Sequence, residues 1–232
     1  MTLHYDPASG NALGTEPVVA AQSVGTSDSN SGFYRYGVKR LLDIVIVVLA
    51  APPMLLVIGV LALVLALGGA NPFYSQNRIG RNGRIFRMWK LRSMVVNADG
   101  KLEAYLAENP AARAEWDRTQ KLKSDPRITR FGRILRKSSL DELPQLWNVL
   151  RGEMSLVGPR PMMVSQQALY PGEAYYRLRP GITGSWQVSK RNESSFADRA
   201  KFDLDYDRNL SLWADMKLMA ATVRVVLRAT GH

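Results

Sequence analysis

The chain has 232 residues, enough for one domain with extensions, and 46% of them are hydrophobic, so a buried core is expected over most of its length. It contains no cysteine, which excludes a disulfide framework and any Cys-based zinc site. The formal net charge of +11 implies an anionic partner: nucleic acid, lipid headgroups or phosphorylated substrates.

Residues 1–33 are rich in Ser, Gly, Ala, Thr, Asn and Pro without periodicity and carry no Lys or Arg, so a disordered tail is expected there. The start has no basic stretch ahead of an apolar one, so no secretory signal is expected. Ile44 to Leu67 is a run of 24 uncharged, mostly apolar residues. As a straight helix it would be ~36 Å long, enough to cross the hydrocarbon core of a bilayer. Pro52 and Pro53 interrupt it, each removing a backbone donor, and predict a bend. Basic residues flank the run on both sides: Arg35, Lys39 and Arg40 before it, then Arg78, Arg81, Arg84, Arg87, Lys90 and Arg92 after it. Positive flanks stay cytoplasmic, so a re-entrant helix is favoured over a single kinked span. Asp43 is expected to pair with Lys39 or Arg40 on one helical face as an anchor.

Asn82-Gly83 signals a type I′ hairpin between two short aromatic, alternating strands at Phe73–Gln76 and Ile85–Trp89. Residues 98–121 read as helix interrupted at Asn109-Pro110. The spacing of Arg127, Arg130, Arg133 and Arg136 places them near one helical face. A helix is predicted from about Asp141 to Leu150, ending at Gly152. Gly158 to Gly184 reads as mostly loop, with a short helix around Met163–Leu169. The last helix, Leu212 to Leu227, carries Leu212, Met216, Met219, Val223 and Val226 on one face, which either packs on the core or lies at a bilayer surface.

Candidate chemistry begins at Ser139-Leu140-Asp141-Glu142-Leu143-Pro144. Ser139 and Glu142 fit a capping box, and acids suit a first helical turn. Pro144 belongs in a first turn as well, which weakens Ser139 as the cap. Two adjacent carboxylates just after Arg133, Arg136 and Lys137 could instead hold Mg2+ or attack phosphorus. Spacing alone leaves the two readings level. In Gly158-Pro159-Arg160-Pro161, two prolines fix the direction of a guanidinium suited to phosphate, or simply make a rigid turn. Lys90 and Arg92 could bind phosphate or touch lipid headgroups. Asp203-Leu204-Asp205 has the D-x-D form of many metal-using sugar-nucleotide enzymes, but alternate helical residues point apart, so structural carboxylates are expected. His4 and His232 sit at the chain ends, which leaves acid–base work to carboxylates.

Together these segments resemble the bacterial sugar transferase family, the monotopic phosphoglycosyl transferases, from about Tyr36 to Arg228. The likeness rests on Lys39-Arg40-Leu41-Leu42-Asp43, Gln76-Asn77-Arg78-Ile79-Gly80, Lys90-Leu91-Arg92-Ser93-Met94 and Asp125-Pro126-Arg127-Ile128-Thr129. It continues through the Ser139–Leu146 and Met154–Pro161 segments to Arg179-Pro180-Gly181-Ile182-Thr183-Gly184 and Ser211-Leu212-Trp213-Ala214-Asp215. The resemblance implies an α+β, mostly helical fold. Its parts would be a re-entrant membrane helix within residues 34–70 and a catalytic domain over 71–232, with a small β-hairpin and interfacial amphipathic helices. It further implies an enzyme on the cytoplasmic face of the bacterial inner membrane that initiates exopolysaccharide synthesis. Asp141 would attack the phosphate of a UDP-sugar and expel UMP, and undecaprenyl phosphate would then take the phosphosugar. Glu142 would assist; Lys90, Arg136 and Arg160 would bind phosphate; Mg2+ would be the cofactor, with Asp141 as its ligand.

Two departures from the family pattern stand out. Ala51-Pro52-Pro53 replaces a Ser-Pro, and Lys190 stands where Gly is common. The competing readings are a direct glycosyltransferase using Asp203 and Asp205, and a basic membrane-anchored binding module. Nucleic acid is not expected as a partner, because the five Trp are scattered rather than grouped in a basic groove. Anionic membrane lipid is expected to contact the chain, and a homo-oligomer stays open, as does the identity of the sugar.

Overall fold

The computed structural model describes residues 32–69, 71–189 and 195–227. Most of the expected tail and the Lys190 departure lie outside them; Gly32 and Phe33, assigned to the tail by sequence, already belong to a helix. A π-helical turn, Tyr34–Val38, leads into α1, Lys39–Leu67, which keeps Pro52 and Pro53 inside an unbroken helical assignment. The Tyr34–Leu67 stretch is long and apolar enough to cross a membrane.

Only the first part of α1 is packed on the rest of the protein. Val47 is 1% exposed and sits among Phe86, Met88, Val149 and Met154. From Leu49 to Leu67 the large side chains Leu49, Leu55, Leu56, Val60, Leu63 and Leu67 face outward with no protein partner burying them. With 6% of its most apolar window buried, this stretch differs from the mostly buried core helix of a soluble protein. Asp43 does anchor the helix, but through different partners from those expected. Its carboxylate accepts from Ser155 Oγ at 2.8 Å and from the Leu156 amide at 3.1 Å. Lys39 instead meets Asp215 at 2.5 Å, and Arg40 donates to the carbonyls of Val149 and Leu150. Buried backbone groups and a buried carboxylate demand partners more strongly than an exposed i,i+4 pair can reward its members.

β1 (Phe73–Ile79) and β2 (Ile85–Leu91) form an antiparallel hairpin, longer than the sequence reading by a few residues on each strand. Its turn has Asn82 at φ 57°, ψ 26° and Gly83 at φ 74°, the left-handed pair that a type I′ turn requires. α2 (Ala98–Glu108) and α3 (Pro110–Thr119) break at Asn109-Pro110 as expected, and α4 spans Arg130–Lys137 behind a Thr129 cap. α5 is Gln145–Leu150.

A parallel pair that the sequence reading missed joins β3 (Ser155–Val157) to β4 (Gly181–Thr183). It brings Met154–Pro161 against Arg179–Gly184. A Cβ on Gly181 would lie 2.1 Å from the Gly158 nitrogen, and one on Gly158 would lie 2.2 Å from the Arg179 carbonyl oxygen. Glycine is therefore needed at both places for the backbones to approach. α6 (Ala174–Arg177) and α7 (Ser185–Val188) are short helices within the stretch read as loop and just beyond it.

α8 (Arg199–Arg208) and α9 (Leu212–Leu227) complete the described fold. Asp215 ties α9 back to the start of the long apolar helix, accepting from Tyr34 Oη at 2.7 Å and Tyr206 Oη at 2.6 Å as well as from Lys39. The expected apolar face of α9 divides. Leu218 and Met219 pack on the core around Tyr34 and Leu178, whereas Leu212, Trp213, Met216 and Val223 are exposed.

Candidate active site

The two carboxylates lie on a single 3-10 turn, Leu140–Glu142, rather than in the first turn of an α-helix. Pro144 lacks an N–H, so the α-helical ladder starts only at Gln145, and the expected helix from Asp141 is shortened accordingly. Ser139 sits at φ 57° and makes no side-chain cap; the Glu142 carboxylate points to Lys90 instead. The capping-box reading is thereby excluded.

Neighbouring elements hold this turn in place. Asn148 of α5 is fully buried and bonds to β2 from both ends of its amide. Its Oδ1 accepts from the Trp89 amide at 3.1 Å, while Nδ2 donates to the Arg87 carbonyl at 2.7 Å and to Glu153 at 2.6 Å. This fixes Lys90, the next residue of β2, against the dyad: Lys90 Nζ donates to Glu142 Oε1 at 2.7 Å. α4 is pressed against the residue that follows β2 and Arg92. A Cβ on Gly132 would lie 1.9 Å from the Ser93 carbonyl oxygen, and Arg136 Nε donates to Ser93 Oγ at 2.9 Å. Arg160 is carried in by the Gly158–Met163 strap. That strap is tied to β4 through the Gly158 amide to the Thr183 carbonyl, 2.8 Å, and to β1 through the Ile79 amide to the Met162 carbonyl, 3.1 Å. The Arg160 guanidinium lies 3.9 Å from Glu142. Lys90, Arg136, Arg160, Asp141 and Glu142, separated by up to 70 positions in sequence, thus meet in one place.

The rest of the basic run does not join them. Arg127 lies before α4 and pairs with Asp125 at 2.7 Å, and Arg130 and Arg133 are exposed. Arg92 turns toward the Phe73 carbonyl. Asp203 is buried and accepts from Tyr170 Oη at 2.8 Å, while Asp205 is exposed, so the D-x-D pair does not converge. A narrow cleft open to solvent is lined by Lys90, Glu142 and Arg160 and also by Arg78, Met88, Gln145 and Ile182. Arg78 was read only as a flanking charge. Its position in the Gln76–Gly80 motif was the available sign that it does more.

The two adjacent carboxylates are driven apart electrostatically. Burial pushes Asp141 up, and repulsion from Glu142 adds to it, against the lowering by Lys90, Arg136 and Arg160. Burial also opposes ionisation of Glu142, but there Lys90, Arg160 and Arg136 prevail and hold it down to about 2. Glu142 is thus a fixed anion committed to Lys90. Asp141, 4% exposed, has no hydrogen bond among the described residues and keeps its oxygens free within a ring of cations.

No group of three His, Cys, Asp or Glu side chains able to hold a metal occurs among the described residues. The site does fit a Mg2+ ion that arrives with a phosphorylated substrate, since such ions take one or two protein carboxylates and substrate oxygens. Asp141 offers the free carboxylate for it.

The chain matches the bacterial sugar transferase family over residues 34–229. It is 48% identical over 195 residues to the UDP-galactose-lipid carrier transferase of Erwinia amylovora, covering 83% of this chain and 41% of that protein. It is 47% identical over 199 residues to the exopolysaccharide production protein ExoY of Sinorhizobium fredii, covering 83% of this chain and 87% of that one. It is 46% identical over 199 residues to the undecaprenyl-phosphate galactose phosphotransferase of Salmonella typhimurium, covering 83% and 41%. The chain therefore spans less than half the length of the Erwinia and Salmonella relatives and most of ExoY. A match running from the long apolar helix through the dyad and its cations to the last helix, with relatives at this identity, makes the chain a member of the bacterial sugar transferase family.

Proposed function

We propose that the protein transfers a hexose-1-phosphate from a UDP-sugar to undecaprenyl phosphate, starting an exopolysaccharide, and that Asp141 carries the phosphosugar between two half-reactions. One observation carries this reading: a buried carboxylate with free oxygens surrounded by Lys90, Arg136 and Arg160, beside a second carboxylate already neutralised by Lys90. An anion attacking an anionic diphosphate needs fixed positive charge more than it needs a base. In the first step an Asp141 oxygen bonds to the sugar-bearing phosphorus, and the phosphorus–oxygen bond to UMP breaks with its electron pair. In the second, the lipid phosphate attacks the same phosphorus and Asp141 leaves. Arg160 and Lys90 hold the transferring phosphate, Arg136 keeps Asp141 ionised, and Glu142 keeps Lys90 in place. Asp141 with the donor's phosphate oxygens would hold Mg2+, which supplies additional charge to offset the repulsion between the two anions.

A lipid acceptor requires the site to sit at a membrane surface. The link from Leu67 to Phe73 is six residue steps, a reach of about 20 Å, whereas the hydrocarbon core is about 30 Å thick. Both ends of α1 are thereby kept near one domain. This supports a re-entrant helix, bent at Pro52-Pro53, with the catalytic domain on the cytoplasmic face. Galactose is the first sugar to test, because two of the three relatives above carry it in their names.

The deciding experiment uses purified protein, Mg2+ and UDP-galactose labelled in the sugar, without lipid. Label should remain on the wild-type chain and be absent from Asp141→Asn. Equal labelling of the two proteins would end the covalent mechanism.

A further inference from the structure

Arg78 and Arg160 line one end of the cleft, and Arg160 and Arg199 both approach the Trp186 ring, 6.0 and 4.2 Å from its centre, so three guanidinium groups stand together at the cleft's edge. Arg160 influences Asp141 on one side and both Arg78 and Arg199 on the other. After burial, the chief influences on Asp141 are Lys90, Glu142, Arg136 and Arg160, not Arg78 or Arg199.

Arg78 donates to the Pro161 carbonyl at 3.3 Å and to Gln76 Oε1 at 2.6 Å, both neutral, and its buried Nε has no partner. Arg199 packs its guanidinium 4.2 Å from the centre of the Trp186 ring and 4.4 Å from that of Phe196, and its buried Nε is likewise unpartnered. Neither forms an ion pair among the described residues. Burial, then repulsion from Arg160, lowers Arg78 to about 10 and Arg199 to about 9, so both remain charged at neutral pH. The carboxylate that acts on Arg199, Asp203, is itself pushed up to about 7 by burial and supplies only part of a negative charge. On Arg78 the one carboxylate that acts is Glu142, more weakly than burial and Arg160 and already paired with Lys90. Buried cations with so little counter-charge are costly unless a ligand brings more.

We infer that Arg78 and Arg199, next to Arg160, form a second phosphate subsite at the edge of the cleft, which holds the phosphate of the departing nucleotide while Lys90, Arg160 and Asp141 engage the phosphate being transferred. This inference rests on the proposed function. The charges balance. Asp141 and the donor diphosphate bring three negative charges; the phosphosugar ester on Asp141 retains one, and UMP leaves with two. The nucleotide phosphate thus gains one negative charge as the bond breaks, and no proton moves. Guanidinium groups fixed at that phosphate bind it more tightly in the transition state than in the ground state, which speeds the step rather than merely tightening substrate binding.

The test compares wild type, Arg78→Gln, Arg78→Lys, Arg199→Gln and Asp141→Asn in one detergent, without lipid acceptor. It measures exchange of labelled UMP into UDP-sugar, the affinity for UMP and for uridine, and the melting midpoint. Both Gln variants should bind UMP at least tenfold more weakly, bind uridine within twofold of wild type, and exchange at least a hundredfold more slowly. Arg78→Lys should recover part of the UMP affinity, and Asp141→Asn should bind UMP without exchanging it. A folding defect would weaken uridine and UMP alike. If Arg78→Gln melts below the assay temperature, Arg78→Lys decides, with a selective loss of UMP affinity of at least threefold. Unchanged UMP-to-uridine selectivity in the folded variants overturns the subsite. Failure of the wild type to bind or exchange UMP overturns the proposed function instead.

Discussion

Replacing Asn148 by Ala removes a buried amide that ties α5, the helix following the dyad's turn, to the strand carrying Lys90. Asn148 is fully buried, and its loss leaves the Trp89 amide and the Arg87 carbonyl facing protein rather than a partner. A buried polar group left unpaired costs about 1–3 kcal/mol, so the pair amounts to roughly 2–6 kcal/mol. For a chain of this size each kcal/mol moves the melting midpoint by about 2–4 °C, which gives a fall of roughly 4–24 °C. Asn148→Asp is the sharper variant. It keeps the acceptor for Trp89 but sets a carboxylate against the Arg87 carbonyl and Glu153, where the amide now donates to both. It should be at least as destabilising as Ala. Because Lys90 follows Trp89 directly, both variants should also lose activity at temperatures where they remain folded. A displacement of about 1 Å in a catalytic group is worth on the order of a hundredfold. The assay is a thermal melt in a fixed detergent, alongside UMP release measured well below the melt. A melt within 2 °C of wild type for both variants, with normal turnover, would refute the idea that this amide positions the site.

Two further outcomes follow from the electrostatics and from the membrane helix. Asp141 must be ionised to attack, and burial raises it, so kcat/KM should fall as pH drops through a value above the ordinary aspartate range. Lys90→Met removes the strongest lowering influence on Asp141 and should move that acid limb to higher pH; an unmoved limb would show that Asp141 is not the titrating group. The chain lacks cysteine, so single cysteines at Tyr36, Gly69 and Asn82 report topology directly. None should react with a membrane-impermeant maleimide applied from the periplasmic side, and labelling at Gly69 would establish a full crossing.

Some of this was legible from residues alone. The 24-residue apolar run, the Asn82-Gly83 turn, the break at Asn109-Pro110 and the Leu212–Leu227 helix are local properties, set by hydrophobic period, proline and positive φ. The ordered motifs, read by resemblance, selected Asp141, Glu142, Lys90, Arg136 and Arg160; Lys90, Glu142 and Arg160 line one cleft, and Asp141 and Arg136 are close enough to act on them electrostatically.

What tertiary structure decided is of another kind. β3 and β4 are three residues each, too short to show a period, and they pair only because Gly158 and Gly181 admit close backbone contact. Asp43 chose Ser155 and Leu156 over neighbours in its own helix because buried donors needed an acceptor. Arg78 looked like one flanking charge among many until the Gly158–Met163 strap laid Pro161 across it and placed it beside Arg160. Local sequence determines which backbone shapes are affordable, whereas partners for buried charge and buried amides come from segments far apart in the chain, and only the folded packing brings them within reach.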